Sequence, residues 1–530
     1  MEYITEGLLS VLTVTSITVL LCGLIIGFIT GAMPGFDAVN AAAIVLPFTV
    51  HLDAQNALVA MAGIYAGTAY AGAIPAILLN VPGTAGAAAT ALDGYPMARK
   101  GEAARAISIA RGASMIGGVM ACLLVLPLLG PISQFALEFT SPEMFLVGLI
   151  AMTIIGSLIG DSIPKGMLAL FLGMLLATMA ASGETGRPRF NFGLLELYES
   201  FPFVPVTLGV FALAQMFIYV AEDLKTFRLG TSDQEAGAEQ NQKSLLQSWR
   251  EASAGMTEPF KRLAVTTRSS LVGLGIGILP GTGPTIANFV AYGIAKRRAK
   301  RPEEYGQGTP DGIIAPEAAD NSCVVGTLVP TFTLGIPGSA TAAVMMGAAM
   351  MQGWAPGPAI MRDHAVEVYT VLWGLLIAAL AIGPTTVVLA APLAKIATTR
   401  REVLTPCVIL LSLVGAFAVR NSLFDIGLAI LFGFIGVLMR RTGFPVVPMV
   451  LGLILAPIIE SNFIRSMRLS HYSPTIFFDS TLALILWAVL LLVIAASLWG
   501  AVKRARLQKE VDQSLLGRRG EGASVLSDAR

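Results

Sequence analysis

Charge is scarce in this chain: Asp, Glu, Lys and Arg make up only 13% of its 530 residues, where soluble domains carry about 25%. That is too little to coat soluble domains of this total length. Histidine is nearly absent, with His51, His364 and His471 the only three, which leaves a metal site or a Ser/His hydrolase little to work with. The four cysteines, Cys22, Cys122, Cys323 and Cys407, lie far apart in apolar runs without a C-x-x-C pair, so they read as small packing residues rather than disulfides or ligands. A helical H-E-x-x-H, a Walker A loop and a G-x-G-D aspartyl-protease motif are all missing, so neither catalysis, ATP hydrolysis nor a resident cofactor is expected. The balance of 35 Lys and Arg against 34 Asp and Glu leaves no basic surplus for nucleic acid. What the chain has in quantity is apolar surface, with 55% hydrophobic residues and a mean hydropathy of +0.73. The expected surroundings are a lipid bilayer, and the expected class is an all-α polytopic membrane protein.

Uncharged or nearly uncharged runs recur near residues 8–29, 55–80, 112–136, 144–181 and 203–220, then near 270–295, 322–351, 366–394, 403–458 and 477–501. At about 20 residues per crossing they supply roughly ten to thirteen transmembrane segments, some of them broken. The first run, Gly7 to Phe36, follows Glu2 and Glu6 and no Lys or Arg, the reverse of a signal peptide's basic start, and reads as a retained membrane helix. A polar stretch with the low-complexity segment Thr231-Ser-Asp-Gln-Glu-Ala-Gly-Ala-Glu-Gln-Asn-Gln separates the two sets. The chain divides into a first membrane half, 1–221, a linker, 222–268, a second membrane half, 269–502, and a charged tail, 503–530, that reads as solvated. Basic residues fall between Arg99 and Arg111, in the linker, at Lys296 to Arg301, at Lys395, Arg400 and Arg401, at Arg440-Arg441 and after Lys503. The positive-inside rule then puts the linker and C-terminus in the cytoplasm and the N-terminus outside.

An internal repeat is the most informative feature. Gly27-Phe-Ile-Thr-Gly31-Ala-Met-Pro34-Gly35 matches Gly273-Leu-Gly-Ile-Gly277-Ile-Leu-Pro280-Gly281 at an offset of 246, and Pro75-x6-Pro82-Gly83-Thr84-Ala85 matches Pro330-x6-Pro337-Gly338-Ser339-Ala340 at an offset of 255. Each half also carries a Gly/aromatic/Pro cluster, Gly94-Tyr95-Pro96 and Gly353-Trp354-Ala355-Pro356. The basic loops fall on opposite sides of the two repeats, so the halves are expected to run through the membrane in opposite directions. Pro-Gly inside an apolar segment removes a donor and adds a hinge, which breaks the helix. The freed backbone groups cannot face lipid and must be buried or line a polar cavity. Inverted repeats with broken helices are the architecture of secondary carriers, with the substrate near the midplane and helix N-termini that attract anions.

The candidate binding residues are those of the two pairs of breaks: Pro34 and Gly35, Pro82, Gly83, Thr84 and Ala85, Pro280, Gly281 and Thr282, and Pro337, Gly338, Ser339, Ala340 and Thr341. Asn80, Asn288, Asn321 and Ser322 add neutral donors, although Asn and Ser also serve to bond neighbouring helices. Gly27/Gly31 and Gly273/Gly277 have the spacing of close helix packing. With no Lys or Arg in the Pro-Gly segments, an anion is expected on backbone N–H groups and the hydroxyls of Thr84, Ser339 and Thr341. A Na+ ion could sit on carbonyls freed near Pro82 and Pro337, and a proton on an intramembrane acid is equally open. Asp93, Glu317 and Asp320 are the acids nearest the motifs, as gating or coupling groups or as helix caps and ion-pair partners. Asp161 with Lys165 reads as a local ion pair, Asp363-His364 as a solvated loop, and Tyr95 and Trp354 as interfacial anchors. An intramembrane enzyme lacks a nucleophile/base pair here, and a channel lacks a ring-forming pore motif.

Several blocks are familiar. Asn80-Val-Pro-Gly-Thr-Ala, Ala91-Leu-Asp-Gly-Tyr-Pro-Met-Ala-Arg-Lys-Gly, Gly277-Ile-Leu-Pro-Gly-Thr-Gly-Pro, Ala315-Pro-Glu-Ala-Ala-Asp-Asn, Gly335-Ile-Pro-Gly-Ser-Ala and Asn421-Ser-Leu-Phe-Asp resemble the large membrane subunit of the tripartite tricarboxylate transporter family, from about residue 20 to 465. The resemblance implies a bacterial inner-membrane importer of organic carboxylates, from citrate to dicarboxylates and aromatic carboxylates. It also implies a small membrane subunit, a periplasmic solute-binding protein and a cation gradient, Na+ or H+, as partners and drive. A carrier of the same architecture that acts alone is the rival. The first Pro-Gly turn departs from the family's glycine-rich continuation with Phe36-Asp37, and an acid there argues against direct anion contact at Asp37.

Overall fold

The computed structural model describes residues 2–158, 162–179, 187, 189–198, 201–229, 254–355, 357–397 and 401–499. Asp161, Pro356, Arg400, the low-complexity stretch from Thr231, the linker's Lys243 and Arg250, and the tail 503–530 lie outside the described residues. Helix is the only regular structure among the described residues. Eight helices there are long and apolar enough to cross a membrane and five shorter apolar helices accompany them, which makes the chain a multi-pass membrane protein. The outermost of them, Thr481–Trp499, keeps Leu484, Ile485, Leu491, Leu492 and Leu498 more than half exposed, a band of apolar surface that water would not tolerate.

The first half opens with α1 (Glu2–Val11), α2 (Val14–Gly31), α3 (Ala38–Val45), α4 (Ala54–Ala71), α5 (Ala73–Leu79), α6 (Ala87–Arg99) and α7 (Ala103–Leu137). α8 (Ser141–Leu158) and α9 (Ile163–Ala177) follow, then α10 (Phe203–Thr207), which runs through a π-helical turn, Leu208–Leu213, into α11 (Ala214–Leu229). The second half repeats the order with α12 (Leu263–Gly277), α13 (Gly283–Arg298), α14 (Asp311–Leu334), α15 (Ala340–Met351) and α16 (Ala365–Ala397). It closes with α17 (Arg401–Arg420), α18 (Leu423–Arg441), α19 (Val446–Leu469) and α20 (Thr481–Trp499).

Two helices form the axis of the molecule. The α4–α5 segment is apolar on every face and buried along its whole length, and α14 is buried from Gly312 to Thr333. Such helices belong in a core rather than at its edge. Each is flanked by a glycine-bearing helix of its own half. On α2, a Cβ at Gly27 would stand 2.4 Å from the Ile64 carbonyl oxygen and one at Gly31 would stand 2.6 Å from that of Thr68. On α12, a Cβ at Gly273 would stand 2.2 Å from the Ala319 oxygen and one at Gly277 2.6 Å from that of Cys323. Ile64 and Thr68 are related to Ala319 and Cys323 by the same offset of 255 that relates the Pro-Gly-Thr/Ser turns, so the tight pairing recurs residue for residue. The four glycines are packing residues.

The hairpins that leave the axis are tied to the opposite half. α6 is held by Asp93, whose Oδ1 accepts the N–H groups of Gly306 (2.9 Å), Gly308 (2.8 Å) and Thr309 (2.9 Å) while Oδ2 accepts the Tyr292 hydroxyl at 2.9 Å. At the end of α15, Gln352 donates to the carbonyls of Leu52 (2.9 Å) and Thr49 (3.4 Å) in the loop after α3. The long α7 of the first half in turn packs along α14, and α16 of the second packs along α4.

Candidate functional site

Both breaks expected from the sequence are present. α2 ends at Gly31, the chain turns through Pro34 and Gly35 (φ +73°), and α3 begins after Asp37; α12 ends at Gly277, turns through Pro280 and Gly281 (φ +75°), and α13 begins at Gly283. The second pair of breaks also matches. Asn80 ends α5 in the left-handed region (φ +55°), as Gly335 ends α14 (φ +68°), and the N–H of each capping residue points back to Pro75 or Pro330. Asn80 is thus spent on closing its helix, and it is exposed. After each break a hydroxyl accepts an N–H of the next helix. Thr84 accepts the Ala87 N–H at 3.4 Å, two residues before the N-cap Gly86, and Ser339 is the N-cap of α15 and accepts the Ala342 N–H at 3.1 Å, the role that favours Ser at this position.

The two hairpin turns meet the axis helices of the other half. The Tyr65 hydroxyl on α4 lies 2.9 Å from the Ser339 hydroxyl, and both residues are buried. Opposite them, a Cβ on Gly86, two residues past Thr84, would stand 2.4 Å from Asn288 Nδ2 on α13 and 3.6 Å from Asp320 Oδ2 on α14. Neither polar atom of Asn288 has a hydrogen-bond partner, nor has Asp320 Oδ2. Glu317, one turn before Asp320, accepts the hydroxyls of Thr90 at 2.5 Å and Ser114 at 2.9 Å. Among the described residues no Lys or Arg offsets Glu317 or Asp320.

The other candidates have local partners. The Pro82 carbonyl accepts the Gly35 N–H at 3.2 Å, and the Pro34 carbonyl accepts the Tyr219 hydroxyl at 2.6 Å. Gly83 sits against the Gly31 carbonyl and donates to that of Gly72, while Gly338 sits against Thr327 and donates to the Thr331 hydroxyl. Thr282 turns back to donate to Ile276 (2.7 Å) and Leu279 (2.9 Å), closing α12. Ser322 donates to Ala319 and lies against Gly273; the Asn321 Cβ lies beside Gly118 of α7, and its Nδ2 is buried without a hydrogen-bond partner. Thr341, buried, and Ala340, half-buried, begin α15. Asp37 accepts the Ala38 N–H at 2.7 Å to start α3, has the Ala85 N–H within reach, and is backed by Arg440.

Two readings are corrected in detail. Trp354 is buried and its ring stacks on His364 at 4.3 Å, so His364 packs rather than floating in a solvated loop; Asp363 beside it is solvent-exposed and pairs with Arg362. The two Gly/aromatic/Pro clusters are not equivalent, because Gly94 to Pro96 lie inside α6 and Gly353 turns the chain (φ +86°) after α15. Lys165 donates to the Thr442 carbonyl at 2.6 Å and lies over the Phe444 ring. Sequence reasoning missed Tyr65 and Gly86, although the offset of 255 puts Tyr65 at the place of Asp320.

The Ser339 site yields a stability test. Ser339→Ala removes a helix cap and leaves the buried Tyr65 hydroxyl with the Thr327 side chain alone in reach, which is expected to cost about 1–2 kcal/mol. Tyr65→Phe removes the pair more cleanly and is expected to cost about 1 kcal/mol or less. Thermal unfolding of the two variants in detergent should rank them in that order; the reverse order would break the assignment of Ser339 as the cap.

Buried axis helices, paired glycine contacts and broken hairpins that reach the axis helices of the other half define a multi-pass membrane protein, and its family is one of transporter subunits. The chain belongs to the Tripartite tricarboxylate transporter TctA family, which matches it over residues 17–451. It is 32% identical over 506 residues, 94% of its own length and 96% of the relative's, to an uncharacterized 52.8 kDa protein in the TAR-I ttuC' 3' region of Agrobacterium vitis. A second uncharacterized protein, from the TAR-II ttuC' 3' region of the same organism, is 31% identical over 242 residues, 45% of this chain and 98% of that one. No solved structure matches.

Proposed function

We propose that this chain is the large inner-membrane subunit of a tripartite importer that receives an organic carboxylate, a tricarboxylate, dicarboxylate or related acid, from a periplasmic solute-binding protein. It works with a small membrane subunit on a Na+ or proton gradient, its N-terminus outside and its C-terminus in the cytoplasm. The two halves are inverted repeats, and the substrate lies where their hairpins meet. The observation that carries this reading is the crossing of hairpin and axis helix at Tyr65 and Ser339, which brings the start of α15 into the middle of the protein.

The first turn of a helix has N–H groups without intrahelical acceptors. Ser339 satisfies that of Ala342, which leaves those of Ala340 and Thr341 and the positive end of the α15 dipole for a carboxylate. Neutral donors hold an anion without trapping it, which suits a carrier that must release its cargo. Coupling falls to the uncompensated acids of α14, Glu317 and Asp320, whereas Asp93 is engaged as a tie between the halves. The test is uptake of labelled citrate, C4-dicarboxylates and aromatic carboxylates into proteoliposomes, with the small subunit and binding protein added or omitted, under Na+ or proton gradients. Uptake that needs both the binding protein and a gradient is expected. Uptake without the binding protein favours a carrier that acts alone, and uptake indifferent to any gradient would sink the proposal.

A further inference from the structure

The two hairpin turns share a backbone plan but meet different side chains. After the Pro-Gly turn the first half has Asp37 where the second has Gly283, and on the axis helix the first half has Tyr65 where the second has Asp320. Because each axis helix faces the hairpin of the other half, both acids converge on the first hairpin. Asp37 reaches the Ala85 N–H and Asp320 stands beside Gly86. At the second hairpin Ser339 lies beside Gly283, whose Cβ would lie 3.9 Å from that of Ser339, and the Tyr65 hydroxyl, and Gly338 lies against Thr327 and Thr331. The anion-attracting turn is therefore the second, and the first is surrounded by negative charge.

Asp37 is compensated by two N–H groups and Arg440; among the described residues Asp320 has no cation and only the Asn288 side chain beside it. Its Oδ2 has no hydrogen-bond partner, and the fully buried Asn288 amide beside it has none on either atom. Two unsatisfied polar groups side by side in a membrane interior cost several kcal/mol unless something sits between them. A proton on Asp320 would remove its charge and let its hydroxyl donate to the Asn288 oxygen, so stabilisation that follows pH alone is the rival outcome. A hard cation takes carboxylate and amide oxygens together. Glu317, one turn away, spends its oxygens on Thr90 and Ser114, which leaves Asp320 as the carboxylate free to meet a single positive charge, and the described residues hold no cluster of three or more acids, His or Cys. Gly86 fits the same picture, since any side chain there would occupy the space between hairpin and amide.

We propose that Asp320 and Asn288, facing Gly86 at the first hairpin turn, form a Na+ site. Its use as the coupling site rests on the carrier reading above; the binding does not. The test follows the melting temperature of the detergent-purified full-length protein as NaCl replaces choline chloride at constant ionic strength, a ligand that binds only the folded state raising it. Na+ is expected to stabilise the wild type and K+ not to. Asp320→Asn and Asn288→Ala should each weaken the apparent Na+ affinity by about ten-fold or more, whereas Asp363→Asn, at an exposed acid outside the site, should leave it within a few-fold. An unchanged Na+ response in either site variant overturns the proposal, and so does stabilisation that follows pH alone. Melting in choline shows that each variant is folded, and if Asp320→Asn is not, Asn288→Ala and Gly86→Ala decide. Neither substrate, gradient nor binding protein enters this measurement, so a failed uptake assay sinks the carrier reading and leaves the Na+ site standing, and the converse also holds.

Discussion

Asp93→Ala is expected to unfold the junction between the halves, at a cost of about 3 kcal/mol or more, because it strips the acceptor from three backbone N–H groups and one hydroxyl at once. Hydrogen bonds to an ionised group are the strong ones, and Asp93 is fully buried. Water can replace part of what is lost at Gly306, which is exposed, but not at Thr309, which is buried. Asp93→Asn keeps Oδ1 for the three N–H groups and turns an amide toward Tyr292, whose hydroxyl can accept, so its cost is expected to be about 1 kcal/mol. Protease cleavage within the 299–310 loop, followed beside thermal unfolding, would read both variants. Loss of uptake in Asp93→Asn with unchanged melting and unchanged cleavage would return the residue to a gating role.

Two glycines two residues apart on α12 should respond with opposite signs. The Cβ of Gly273→Ala would stand 2.2 Å from both the Ala319 carbonyl oxygen and the Ser322 hydroxyl oxygen. The backbone oxygen cannot swing aside, so α12 must withdraw from α14, at about 1–3 kcal/mol for the methyl. Gly273→Leu should not give a folded protein. Gly275→Ala meets nothing within 4 Å, gains up to about 1 kcal/mol of helix propensity and should melt no lower than the wild type. Equal destabilisation by both alanine variants would mean that α12 does not approach α14 through Gly273.

The breaks were legible because Pro-Gly acts on its own helix: Pro34-Gly35, Pro82-Gly83, Pro280-Gly281 and Pro337-Gly338 all interrupt helices as local chemistry requires. The membrane class was legible from charge scarcity alone. Partnerships across the repeat were not. Asp93 meets its N–H donors more than two hundred residues away, and nothing near Ala91-Leu-Asp-Gly-Tyr-Pro points there. Asn80 looked like a donor, yet the glycine at the equivalent Gly335 signals a left-handed helix end, a hint that lay in the alignment of the halves. Tyr65 was hidden for the same reason, since a tyrosine in an apolar run attracts no notice until it is set against Asp320. Asp425, in the Asn421-Ser-Leu-Phe-Asp block, turns out to anchor a corner, buried and accepting from Arg420 at 2.8 Å.

The tie between α6 and the 299–310 loop bears on how the protein is made. A ribosome adds about 5–20 residues per second, so roughly 10–40 s pass between the synthesis of Asp93 and that of its partners. During that interval the insertion machinery must hold a hairpin that carries an uncompensated carboxylate, together with an axis helix, α4, that still lacks the partner helix α16. The first half therefore reaches the membrane as an unfinished object, and its residence beside the translocon lasts until the second half arrives to close it.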